Sequence, residues 1–149
     1  MIKYEALFLD EESIKLIQKL ETKKLERIND EIHLTLKYKP AKEEILNEIV
    51  GKEFELYLIG YGNDGKNSGF EVELTEELKP YYINFDEDDK TSIKIPHITS
   101  SLANDAKAVD TKNLLFNKLS QKYKVKGKIG FWIEDEEGKE YLSYKQYNQ

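Results

Sequence analysis

The amino-acid sequence predicts an α+β domain with several hairpins. Three observations carry this: alternating or short apolar runs outnumber helical ones, hairpin turns separate several of them, and helical spacing occurs in separate places rather than after every strand. Residues 3–9 (KYEALFL) are the first apolar run and read as a strand. Asp10 then stands where a helix N-cap belongs, ahead of Ile14, Leu16, Ile17, Leu20 and Leu25 at spacings near 3.6. Residues 31–38 (EIHLTLKY) alternate, with Ile32, Leu34 and Leu36 on one face and His33, Thr35 and Lys37 on the other. Pro40 leads into a second predicted helix over 41–50, with Ile45, Leu46, Ile49 and Val50 inward and Gly51 as its stop. Residues 54–61 and 69–74 predict two strands joined by the polar loop GNDGKNS. Residues 75–92, with Pro80 and the run Asp86, Glu87, Asp88 and Asp89, predict a solvated loop. Residues 92–101 (SIKIPHITSS) predict a strand made irregular by Pro96. A third helix is predicted from Thr111, as its cap, through residue 123, and residues 124–134 and 140–144 predict a closing hairpin across DEEG.

At 149 residues the chain matches one domain, 1–149, and its charged residues are of mixed sign, which argues against bulk disorder. The net charge of −6 argues against a protein that coats long duplex nucleic acid, because such binding rests on phosphate neutralisation by Lys and Arg. The sequence has no cysteine, so disulfides, thiolate metal sites and cysteine nucleophiles are excluded together, as befits a reducing compartment. Neither a secretory leader nor an apolar window of membrane-spanning length is evident. The expectation is a soluble protein of the cytoplasm, with no membrane partner.

The two histidines stand in the same local pattern, His33-Leu34-Thr35 and His97-Ile98-Thr99. On a strand, residues i and i+2 project from one face, so each imidazole is delivered beside a hydroxyl while Ile32, Leu34 and Ile98 point to the core. Two imidazoles are a natural acid–base couple near neutral pH. A phosphodiester suits them: the attacking oxygen must lose a proton, the leaving oxygen must gain one, and the two threonines can donate to the non-bridging oxygens. The bland alternative is that the histidines are structural. A two-histidine metal site is a further alternative, one that without cysteine would need carboxylate ligands.

With one His-x-Thr in each half of a small α+β chain, HLTL and HITS 64 residues apart, the sequence resembles the two-histidine (2H) phosphoesterase superfamily. The resemblance implies a bilobal fold of two pseudo-symmetric lobes, with two antiparallel sheets lining a central cleft and helices on the outside. It implies His33, Thr35, His97 and Thr99 as the catalytic set, in a metal-independent phosphodiesterase that needs no cofactor. The small size and close motif spacing are most similar to compact phage-type members. A cyclic di- or trinucleotide or oligonucleotide immune signal is therefore the first substrate expected, with RNA 2′,3′-cyclic phosphate ends or 2′,5′-linkages next. On this reading the protein acts in a bacterial cytoplasm or, if phage-encoded, in that of the host. The alternative from another class is a non-catalytic module that binds or sequesters a nucleotide; a third is a plain interaction protein.

Trp132 alternates with Lys126, Lys128, Gly130 and Glu134, opposite the apolar Val125, Ile129, Phe131 and Ile133. A large aromatic on a polar face is either a stacking plate for a nucleobase or a ring covered by a loop. Tyr4 is a second candidate for the base, and Glu134 a candidate acceptor for its amine or a solvated strand end. Residues 107–128 carry seven Lys and one Asp, so this stretch is +6 and the rest is −12. It either steers a phosphate toward the second motif or solubilises an outer face.

Overall fold

The structure is a computed structural model and describes residues 1–82 and 95–147. The fold is α+β, dominated by one antiparallel sheet of eight strands. In chain order the elements are β1 (Ile2–Leu9), α1 (Glu11–Leu20), β2 (Arg27–Ile28), β3 (His33–Tyr38), β4 (Glu53–Asn63), β5 (Asn67–Leu74), β6 (His97–Leu102), β7 (Asn117–Glu134) and β8 (Glu140–Ser143). Hydrogen bonding orders them β2-β6-β5-β4-β7-β1-β3, with β8 also on β7.

Two separate sheets were expected. All strands join into one because β7, 18 residues long, pairs with β4 along one edge and with β1 along the other. Alternation sends Leu7, Leu34, Leu36, Leu56, Leu58, Val72, Ile98, Val125 and Ile129 into a common core. Ile17 of α1, fully buried, packs into the same core. The helix begins as predicted, since Asp10 Oδ1 accepts from the Ser13 amide at 2.8 Å. Asp10→Ala should therefore lower stability by about 1 kcal/mol, read as a shift in the urea midpoint with an unchanged slope.

The strand path curls until its ends meet. β2 pairs with β6 through Arg27↔Leu102 and Ile28↔Ser101. Asn29 continues along β6, its amide donating to Ser100 O at 3.0 Å and its side chain to Thr99 O at 2.8 Å. The chain then enters β3, which pairs with β1 from the far end of the path. β3 and β6 consequently lie in contact with each other.

Two predicted helices are replaced. Residues 41–50 form two 3₁₀ turns, Lys42–Glu44 and Asn47–Ile49, with Ile45 and Leu46 between them outside helical geometry. The Leu46 amide donates to Glu5 Oε1 at 2.9 Å, so a tertiary acceptor on β1 takes the proton that a helix would direct four residues back. Residues 111–123 are a 3₁₀ turn (Ala108–Asn113) followed by β7, because β4 offers an open edge from Glu53 to Tyr61 and residues 117–128 complete it. The predicted hairpins stand: β4 and β5 turn at Gly65 (φ 85°), and β7 and β8 at Gly138 (φ 82°). The predicted strand over 92–101 is found as β6; its first three residues and the acidic run 86–89 lie outside the described residues. Among the described residues no helix is long and apolar enough to cross a membrane.

Candidate active site

His33 opens β3 and His97 opens β6. In each strand the flanking alternation buries Leu34 or Ile98, so each histidine and its threonine share the face turned away from the core. Because β3 and β6 adjoin, the imidazoles come within electrostatic reach, and a proton on His97 disfavours one on His33.

Both rings are anchored in the same way. His33 Nδ1 lies 2.9 Å from Glu31 O, and His97 Nδ1 lies 2.8 Å from Ile95 O. A carbonyl can only accept, so each Nδ1 is the donor, and each neutral ring keeps its lone pair on Nε2. Burial, and then the neighbouring His97, pulls the His33 pKa below the ordinary imidazole value against the pull of its carbonyl partner. Burial and the Lys112 ammonium do the same to His97. Free of ligand, both rings are therefore neutral at pH 7, with equivalent nitrogens available.

Aromatic rings wall each histidine. The β1–β3 register sets Phe8 opposite His33, and the rings sit 5.5 Å apart. Tyr4 stacks on His33 at 4.7 Å and 19°. On the β7 side of β1, Trp132 pairs with Tyr4 and lies 6.4 Å from it at 13°, which extends the stack. His97 is faced by Phe116 at 6.2 Å. That ring is placed by a bed of glycine: a Cβ on Gly62 would sit 2.9 Å from Leu115 O and 3.3 Å from the Phe116 ring. The two hydroxyls differ. Thr99 Oγ1 donates to Thr111 Oγ1 at 2.9 Å, whereas the Thr35 hydroxyl has no partner among the described residues.

The structure thus gathers His33, Thr35, His97 and Thr99 on adjoining strands and carries Tyr4 and Trp132 into the ring stack on the His33 side. Burial, with Glu31 and Glu140 nearby, pushes the Tyr4 phenol up to about 12, so it stays neutral. Glu134 ends β7 two residues beyond Trp132, where its backbone bonds Met1 and its charge acts on Lys3. The carboxylate on the indole is Glu140, which accepts from Trp132 Nε1 at 3.1 Å and from Lys3 at 2.8 Å. The +6 stretch is not a continuous cationic surface either. Lys122 pairs with Glu73 on β5, and Lys124 and Lys126 pair with Glu55 and Glu53 on β4, while Lys112 stands beside His97 without an ion pair among the described residues. Sequence reading missed Phe8, Phe116 and the place of Thr111 against Thr99. Phe8 alone left a signal, as the next-but-three residue on the face of Tyr4.

No protein-family model matches the chain, and no curated protein is significantly similar to it. What the site can do follows from its own groups: two imidazoles within electrostatic reach of each other, two hydroxyls on the same strand faces, and aromatic rings around them.

Proposed function

We propose that this protein is a metal-independent phosphodiesterase of the 2H type acting on a small nucleotide. One observation carries the reading: both histidines are fixed through Nδ1 to a carbonyl two residues back, on adjoining strands that also bear the two threonines. One Nε2 takes the proton of an attacking ribose hydroxyl or water, and the other ring, protonated when the anionic ligand arrives, gives its proton to the leaving oxygen. Thr35 and Thr99 donate to the non-bridging oxygens as their charge grows.

The bilobal arrangement is part of the proposal. One lobe comprises β3, β1, β8 and the C-terminal half of β7; the other comprises β2, β6, β5, β4 and the N-terminal half of β7. The long strand joins them. Trp132 and Tyr4 suit a nucleobase, and the acidic total suits a small substrate held in a pocket. The first class to test is cyclic di- and trinucleotide or oligonucleotide immune signals, then RNA 2′,3′-cyclic phosphate ends and 2′,5′-linkages.

A second reading, a module that sequesters a nucleotide uncut, is favoured by one fact. Both imidazoles are pulled toward neutrality, which lowers the share of protonated ring ready to act as the acid at pH 7. One experiment separates the two. Purified protein in EDTA is incubated with a panel of these nucleotides and the products are resolved by chromatography. Cleavage of at least one member is expected. Loss of that cleavage in EDTA sinks the metal-free claim, and recovery of bound, intact nucleotide after long incubation leaves the sequestering module.

A further inference from the structure

The second threonine is held by a chain of side chains that the proposed chemistry does not itself require. Thr111, fully buried, sits in the 3₁₀ turn ahead of β7, and its Oγ1 accepts from Asn67 Nδ2 at 3.1 Å and from Thr99 Oγ1 at 2.9 Å. Asn67, on β5 and 2% exposed, also donates from Nδ2 to Lys107 O at 2.7 Å. That second bond settles the direction of the first. A backbone carbonyl can only accept, so the Asn67 amide must present its nitrogen, and Thr111 must receive a proton from it. Thr111 therefore keeps its own O–H free to give. The packing is specific: Gly69 is opposite Thr99 in the β5–β6 register, and a Cβ there would lie 2.8 Å from Thr111 Cγ2 and 2.3 Å from Ile98 O. Only a glycine at that position lets Thr111 reach Thr99.

The geometry points to Asn67 and Thr111 as positioning residues that form a hydrogen-bond relay onto Thr99, one that, turned toward the ligand, makes Thr99 a donor to an oxygen that can only accept, such as a non-bridging phosphoryl oxygen. In the empty site Thr99 rests its proton on Thr111. When an oxyanion arrives, two hydroxyl rotations reverse that one bond. Asn67 then donates to Thr111, Thr111 to Thr99, and Thr99 to the ligand, without displacement of a heavy atom. Each bond polarises the next, and the last one meets a charge. Among the described residues Thr35 has no such support, so the two motifs differ in function: Thr99 is preset, and Thr35 adapts.

This inference deepens the phosphodiesterase reading, and its test reads binding separately from cleavage. Inorganic phosphate is titrated into the unsubstituted protein, Thr111→Val, Thr111→Ser, Asn67→Asp and Thr99→Val, with the His33 and His97 ring resonances followed by NMR. Phosphate should bind the unsubstituted protein and Thr111→Ser alike, and Thr111→Val and Asn67→Asp roughly tenfold more weakly, the usual scale for a hydrogen bond to a charged group. Adding Thr111→Val to Thr99→Val should cost nothing more, because the relay acts only through Thr99. Binding by Thr111→Val equal to that of the unsubstituted protein overturns the relay, as does additivity of the two substitutions or absence of phosphate binding altogether. Should Thr111→Val unfold, the same comparison stands between Asn67→Asp and Thr111→Ser. Binding that depends on Thr111, without cleavage of any phosphodiester, removes the hydrolase reading and supports the relay.

Discussion

Replacing either His33 or His97 by alanine is expected to lower turnover of a cleaved nucleotide by at least ~100-fold, the ordinary worth of a positioned proton-transfer group. Both losses should reach this scale, because each turnover needs one proton taken and one given, and each ring has Nδ1 held by a carbonyl so that Nε2 carries the lone pair. They should also be far less than additive when combined, since a base without its acid completes no turnover. Stability should change little, because the buried neighbours Leu34 and Ile98 carry the packing of these strands. The pH profile adds an independent check. Burial lowers both imidazoles below 6.5, so the bell in kcat/KM, which reports the free protein, should be centred on the acid side of that value. Steady-state kinetics of the two single variants and the double variant decide the matter. A variant that keeps its turnover removes that histidine from catalysis.

The second large effect lies on the other face of β1. Glu5 is fully buried, with Oε1 accepting from the Leu46 amide at 2.9 Å and Oε2 without a hydrogen-bond partner among the described residues. Burial pushes its pKa up to about 7; the Leu46 amide and Lys37 pull the other way, and Glu48 adds to the rise. A carboxyl whose pKa is raised by folding favours the folded state while it is protonated, fully below its unfolded value near 4.5 and progressively less as pH rises through about 7. Between pH 5 and pH 8 the protein should therefore lose roughly 2 to 3 kcal/mol through this one group. Glu5→Gln keeps the shape and an acceptor for Leu46 but cannot ionise. Urea unfolding of both proteins at pH 5 and pH 8 should show the loss in the unsubstituted protein and its absence in the variant. Equal pH dependence in the two would mean that Glu5 does not titrate in this range.

How much of this was legible beforehand differs by element. Alternation in HLTL and in HITS is a local signal, and it placed both histidine–threonine pairs on strand faces opposite the core, as found. The Asp10 cap and the two hairpins were legible for the same reason, since caps and turns are made within a few residues. Residues 41–50 and 111–123 were not. Their apolar spacing fits a helix, but Leu46 finds its acceptor on Glu5, 41 residues away, and residues 117–123 find an open strand edge on β4. Propensity is weak beside such partners. A signal for β7 did exist: Leu119, Tyr123, Val125, Gly127, Ile129 and Phe131 occupy alternate positions, with Gln121 completing the period. Its charge was harder to read. Seven lysines in one stretch look like a basic surface until β4 and β5 set glutamates across from three of them.

By itself, then, the sequence determined the α+β character, the two His-x-Thr strands and the face each pair occupies, because these depend on side-chain period and short-range hydrogen bonds. Only the tertiary structure decided that the sheet curls so that β3 meets β6, that Tyr4 stacks on His33, that Glu140 holds the indole, and that Thr111 stands behind Thr99. Each of these depends on partners that become neighbours when strands pair. Spacing along the chain carries no record of that pairing before the core has formed.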